Sequence, residues 1–234
     1  MRIIKSAFLI CFVSVAANCT QAQIIQFEGK SFEAKNVIAS VSKLDGKQVL
    51  KLERDLNAIP FDVNRLESTV DEPTYVKLKD LDFENGTIEV KMLSRIQDPS
   101  PFQFAQGFIG IAFRIAENDT AFESIYLRPR VGRSANQLAR NRTVQYYSYP
   151  RFKFDTLRKT EPGMYETSAP VNIDEWIVFR LEVKGEKAEL FINDAKYSTM
   201  IVSKMKGSTQ HGSIGLWVDI GTTGYFKDLR IVKK

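Results

Sequence analysis

The sequence predicts an all-β sandwich of two antiparallel sheets. Short segments alternate apolar and polar residues with period two, turn residues punctuate them, and no stretch sustains the 3.6-residue period of an amphipathic helix. In chain order the alternating segments are Lys47–Arg54, Thr74–Leu78, Gly86–Leu93, Phe108–Ile115, Ser124–Arg130, Thr143–Ser148, Trp176–Lys184, Lys187–Ile192, Ser213–Val218 and Phe226–Val232. Asp45-Gly46 precedes the first, Glu84-Asn85-Gly86 opens the third, and Lys184-Gly185-Glu186 joins two into a hairpin that Asn193-Asp194 closes. Gly221 and Gly224 separate the last two. Glycine, asparagine and aspartate tolerate the left-handed backbone that tight turns require. Arg133–Arg140 has weak apolar spacing and is expected to be a turn or short helix. With no repeat, low-complexity tract or linker, residues 23–234 are expected to form one domain.

The first 22 residues read differently. MRIIKSAFLICFVSVAANCTQAQ places Arg2 and Lys5 before an apolar run from Ala7 to Ala17, followed by small residues, the order of a secretory signal peptide. A membrane span takes roughly 20 apolar residues, more than this run supplies. Thr20 and Ala22 supply the small side chains expected before a cleavage point after Ala22. The expectation is an exported protein, periplasmic or extracellular, with no integral membrane segment. Cys11 and Cys19 both fall in the removed segment, so the mature chain has neither disulfide nor thiol chemistry. A lipid anchor on Cys19 is the lesser alternative, because Asn18 fits poorly where a small residue is expected.

Losing Arg2 and Lys5 leaves 31 of the 33 basic residues against 28 acidic ones, a mature net charge of +3. That charge is local. From Tyr126 to Thr160 nine basic residues face Asp155 alone, so this window carries +8 and the rest of the mature chain −5.

The C-terminal third carries a family resemblance. WIVFRLEVKGEKAELFIN, then HGSIGLWVDIG, then GYFKDLRIVKK form a W–x–x–x–R–x–E–V–x–G…L–F–I–N–D, G–x–I–G–L–W and F–x–D–L–R–I series. This resembles the C-terminal half of concanavalin A-like jelly rolls, a superfamily of laminin G-like modules, legume-type lectins and glycan-cleaving enzymes. Within it the chain looks most like bacterial secreted domains of the 3-keto-disaccharide hydrolase-like or glucanase-like kind. The resemblance spans roughly Phe83 to Lys234 and implies a jelly roll whose concave sheet meets the ligand. It does not imply an activity, since the superfamily hosts binding modules and glycoside hydrolases alike.

On such a sheet the parity of the basic segment matters. Tyr126, Arg128 and Arg130 share the groove side with Ser124, while Ile125 and Leu127 enter the core and carry Glu123 with them. On the next strand Gln145, Tyr147 and Tyr149 face the groove and Val144 is buried. Tyrosine stacks on sugar rings and arginine forks bind carboxylates or hydroxyls, so an anionic or neutral poly- or oligosaccharide, bound by a monomer in a solvated groove, is the expected partner. Trp217 and Asp219 form a second tier of ligand contacts with Glu123. Trp176 is expected in the core. A structural role for the arginines is the plain alternative, each exposed ion pair being worth about 0–1 kcal/mol. Nucleic acid is excluded by export and by the lack of a nucleic-acid motif; a membrane surface is excluded by the strand-like alternation. A non-catalytic laminin G-like protein-interaction module remains the alternative function.

Catalysis is left open between hydrolysis, elimination and none. The Glu–x–Asp–x–x–Glu strand of retaining glucanases is missing, so their paired-carboxylate mechanism is not carried over. Glu123, with Glu166 or Asp219 as partner, is the candidate acid, and Tyr147 and Tyr149 are the candidate proton-transfer groups of a lyase beside Arg128 and Gln145. His211 lies in a turn and is expected to be incidental. No cofactor and no His/Cys metal cluster are expected. A structural calcium is left open, with Asp219 and Asp228 as its candidate ligands.

Overall fold

The computed structural model describes residues 23–234; the signal-peptide reading, the cleavage point and both cysteines lie outside the described residues. The strands are β1 (Ile24–Phe27), β2 (Lys30–Lys35), β3 (Val37–Leu44), β4 (Lys47–Arg54), β5 (Tyr75–Leu78), β6 (Gly86–Ile96), β7 (Ile109–Ile115) and β8 (Phe122–Leu127). After these come β9 (Val144–Tyr149), β10 (Glu166–Thr167), β11 (Ile177–Lys184), β12 (Lys187–Ile192), β13 (Met200–Val202), β14 (Ser213–Val218) and β15 (Thr222–Lys233). Three short helices, α1 (Leu66–Thr69), α2 (Gln137–Arg140) and α3 (Phe154–Thr160), lie in the connections. No described helix is long and apolar enough to cross a membrane.

Two antiparallel sheets stack face to face, one ordered β1-β2-β5-β14-β7-β8-β9-β10 and the other β13-β12-β11-β6-β15-β4-β3. The chain is an all-β jelly-roll sandwich. Its core is the inward parity of both sheets: Ile111, Phe113, Ile125, Leu127, Val144, Leu216 and Val218 meet Ile88, Val90, Met92, Phe179, Leu181, Leu190 and Phe226. Burying each such side chain contributes roughly 1.5–3 kcal/mol before chain entropy is counted.

The two sheets differ on their outer faces. The seven-stranded sheet alternates buried and open residues along β11 and β12, as a sheet with one wet face should. In the eight-stranded sheet β7 and β8 are buried at every position, so their outer face is covered as well. The cover is chain without long periodic elements: residues 55–74, 97–108 and 150–165.

One side chain fastens the first of these covers. Arg54, at the end of β4, is 5% exposed. Its Nη1 donates to Asp219 Oδ1 at 2.7 Å and to the Thr69 carbonyl at 2.6 Å, and its Nη2 donates to the carbonyls of Ile59 and Pro60. Asp219 follows β14 in the opposite sheet, and its Oδ2 accepts the Asp71 N–H at 2.9 Å. One buried ion pair therefore ties an edge-side strand of one sheet, a central strand of the other and the segment that crosses between them.

Two sequence expectations need correction. Trp176 is half-buried on the outer face of the seven-stranded sheet, with Lys227 Nζ 3.7 Å from its ring centroid, not in the core. It precedes Ile177, which takes the inward position, so the parity of β11 sends the indole outward. The strand expected to run through Arg130 stops at Leu127, because Pro129 has no N–H to donate and opens a short 3-10 turn, Pro129–Val131. Arg130 consequently leaves the sheet and donates to the Ala105 carbonyl.

Truncating Arg54 to alanine is expected to cost about 3–5 kcal/mol, since it strands the Asp219 carboxylate in a dry site. Urea unfolding of Arg54→Ala reads this directly. A loss under about 1 kcal/mol, the range of an exposed pair, would rule the clasp out.

Candidate functional site

The strand registers place the Arg–Tyr residues side by side. Tyr126 pairs with Gln145 across β8 and β9, Ser124 with Tyr147, and Phe122 with Tyr149. Tyr126 also pairs with Gly110, which pairs with Trp217, which pairs with Tyr75. Directly opposite residues of antiparallel strands share a face. The outer face of the eight-stranded sheet thus carries Tyr75, Trp217, Tyr126, Gln145, Tyr147, Phe122 and Tyr149, with small residues between them. Gly110 must be small, since a Cβ there would stand 2.4 Å from the Ile125 carbonyl oxygen.

The aromatic rings form one cluster. Tyr126 and Trp217 lie 5.0 Å apart by ring centroid, Tyr126 and Tyr147 5.7 Å, and Phe122 and Tyr149 5.0 Å in parallel. The cluster is not an open platform: Trp217 and Tyr147 are 0% exposed and Tyr126 2%. Trp217 Nε1 donates to the Glu72 carbonyl, and Lys153 pairs with the Glu72 carboxylate, so the crossing segments sit on the rings. Gln145 is also buried, its amide donating to the carbonyls of Tyr146 and Tyr165. The solvated groove expected over these residues is filled by residues 55–74 and 150–165, whose sequence carries no strand or helix period to announce it.

The arginines are largely engaged. Arg128 is 7% exposed; its Nη1 donates to the Arg142 carbonyl and its Nη2 to the Tyr126 hydroxyl. Glu166 in β10 gathers Arg158 (Nε to Oε1, 2.7 Å), Arg128 (3.7 Å) and Arg142 (3.9 Å). Arg133 forks onto Glu175, and Arg140 onto the Ser134 carbonyl and Gln137.

One cavity opens among these residues. A pocket of about 160 Å³ lies between the sheet and its cover, walled by Phe102, Phe104, Phe108 and Phe154 and floored by Tyr126, Arg128, Asp71 and Asp219, with Gln106 and Arg158 at its sides. Phe104 is 59% exposed and stands at its mouth. Asp219 is saturated by Arg54, the Asp71 N–H and the Ile220 N–H. Asp71 is not: Oδ2 accepts the Phe154 N–H, and burial, helped by the nearby Asp219 charge, pushes its carboxyl from 3.8 up to about 7. Gln106 Oε1 is buried with no hydrogen-bond partner among the described residues. Asp71, Gln106, Phe102, Phe104 and Phe154 were not singled out by the sequence, where each sits in a stretch without alternation; Phe108 was read only as the start of a strand.

The catalytic candidates are scattered. Tyr147 is sealed, its hydroxyl lacks a partner among the described residues, and burial drives its phenol well above the usual range. Tyr149, half-buried beside Glu72, is pushed up to about 12. Glu123 faces inward with Ile125 and accepts the Tyr146 hydroxyl at 2.5 Å. Glu166 serves the arginines and Asp219 serves Arg54, so neither stands as its partner. Of the calcium candidates, Asp219 pairs with Arg54 and Asp228 with Lys91, and they do not converge. His211 pairs with Asp82 at 2.7 Å in an exposed polar cleft of about 1060 Å³, away from the aromatic cluster.

Burial pushes the Glu123 carboxyl from 4.5 up to about 7, outweighing the hydrogen bond from Tyr146 that pulls it down. Between those values it is protonated when folded and ionised when unfolded. Its contribution to stability is complete below pH 4.5 and is lost as pH rises through about 7. Relative to Glu123→Gln, the wild type should lose more than about 1 kcal/mol between pH 5 and pH 8. Urea titrations of both proteins at the two pH values test this, and parallel pH profiles would refute it.

No protein-family model and no curated protein matches the chain. Solved structures do. A carbohydrate-binding module, CBM66, from Bacillus subtilis superposes with a TM-score of 0.51 at 10% identity, over 84% of this chain and 94% of its own. The β-glucanase of Bacillus licheniformis gives 0.46 at 10% identity, over 94% and 95%. A Bacillus subtilis protein with a galectin-like fold gives 0.45 at 12% identity, over 85% and 89%. At 10% identity the likeness to the carbohydrate-binding module is one of fold alone, and it agrees with the jelly-roll sandwich described above.

Proposed function

We propose that the chain is an exported glycan-binding jelly roll that holds a sugar in the phenylalanine-walled pocket over Tyr126 and Arg128. The observation that carries this reading is the pair of underused acceptors in that pocket, Gln106 Oε1 and the Asp71 carboxyl. A buried acceptor without a donor costs roughly 1–3 kcal/mol, and a ligand rich in hydroxyl groups relieves that cost. Apolar walls suit the C–H faces of a sugar ring, and Phe104 at the mouth offers a stacking surface. The Bacillus subtilis neighbour, named as a carbohydrate-binding module, supports the same class of ligand. Export rests on the basic, apolar and small residues of the first 22 positions.

Binding without bond cleavage has the better support. Proton transfer needs a group that releases or takes a proton near working pH. Tyr147 and Tyr149 are displaced upward from that range, and Glu123 faces the core. The Asp71 carboxyl is held at about 7 in the pocket. The one other acid lining it, Asp219, is bound to Arg54, so the paired free carboxylates of a glycoside hydrolase are not assembled there.

A glycan array probed with residues 23–234 should return sugar ligands. Phe104→Ala and Gln106→Ala should each weaken the best of them about tenfold, the loss of one stacking or hydrogen-bonding contact, while the melting temperature stays near that of the wild type. An array without ligands, or ligands indifferent to both substitutions, would overturn the reading.

A further inference from the structure

We infer that the pocket receives one uncharged sugar unit at the end of a chain, and neither an internal stretch of polymer nor an acidic sugar. This rests on the glycan-binding reading and sharpens its ligand.

Space is the first argument. A polymer lying along the concave sheet would need Tyr75, Tyr147 and Trp217 as its floor, and all three are 0% exposed beneath the crossing segments. What stays accessible beside Tyr126 and Arg128 is a cavity of about 160 Å³. Sites for drug-sized ligands run from about 300 to 1,000 Å³, so this one has room for a single ring. The rest of a glycan must leave past Phe104 into solvent.

Charge is the second argument. The two cations that line the pocket are already occupied: Arg158 by Glu166, and Arg128 by the Tyr126 hydroxyl, the Arg142 carbonyl and Glu166. The ionisable group of the pocket without a cation in direct contact is an acid, Asp71, whose carboxylate accepts the Phe154 N–H and whose own N–H donates to Asp219. A uronate or sulfate entering here would be desolvated beside Asp71 with no free guanidinium to receive it. A neutral sugar meets the opposite situation. Its hydroxyl groups donate to Gln106 Oε1 and Asp71, and its C–H face packs on the phenylalanines. The large positive charge of the surrounding segment therefore does not select an anion at this pocket.

The test is isothermal titration with a mono- to hexasaccharide series of the sugar found on the array, together with the matching uronic acid, at low and high salt. The neutral monosaccharide should bind within about threefold of the hexasaccharide, which is well under 1 kcal/mol apart. Its affinity should not change with salt, and Gln106→Ala should weaken every member of the series equally. An affinity rising more than about tenfold with chain length, or a preference for the uronic acid that salt abolishes, would overturn the inference. If such binding still depends on Gln106, the glycan-binding reading survives and only the ligand assignment falls. If nothing on the array or in the series binds, both fall together.

Discussion

The pairing of Arg54 with Asp219 is the constraint on which the arrangement depends. Removing two charges from water costs several kcal/mol per ion, and the pair is tolerable only because every donor and acceptor around it is used. Arg54 spends its remaining hydrogens on the carbonyls of Ile59, Pro60 and Thr69, and Asp219 spends its second oxygen on the Asp71 N–H. The crossing segment is thereby laid over the sheet as part of satisfying the pair. Its placement in turn seals Trp217 through Glu72, sets Asp71 in the pocket wall and closes the groove an open jelly roll would offer.

The fold was legible in the sequence wherever one face of a strand is wet. β4, β11 and β12 coincide with or lie within segments marked by alternation, because inward Leu and Val positions take turns with outward Lys, Glu and Arg. β1, β2 and β3 escaped notice. β1 is only four residues long, and β2 and β3 mix Ser, Ala and Lys into their runs, so the pattern is weak. The parity of the Arg–Tyr strands could also be read from Ile125, Leu127 and Val144. What alternation cannot report is a second layer: Tyr126, Tyr147 and Trp217 look like an outward polar face whether water or another stretch of chain lies against them. The pocket residues Asp71, Phe102, Phe104 and Gln106 lie in irregular chain, and only the folded structure brings them together.

The basic segment takes on a different meaning once its partners are known. Glu166 holds three arginines that are distant from one another in sequence, and Arg133 reaches Glu175. Much of the +8 window neutralises acids supplied by neighbouring segments. The arginines act as long struts that fasten irregular chain to a sheet, using carbonyls as often as carboxylates. Specificity at the pocket is left to groups without formal partners, of which Gln106 is the plainest.

The positions of β14 and β15 have a consequence for how the protein is made. β14 lies between β5 and β7 in one sheet, and β15 lies between β6 and β4 in the other. Both are central strands, and both come from residues 213–233, the part of the described chain synthesised last. Until they arrive, each sheet is split into two halves with unpaired edges, and Asp219 is not yet there to receive Arg54. Such non-local pairing pays loop-closure entropy before it is rewarded, which slows folding. A nascent chain of this protein thus remains without a closed core until residues 213–233 have been made. That delay leaves any copy terminated before these strands open to proteases.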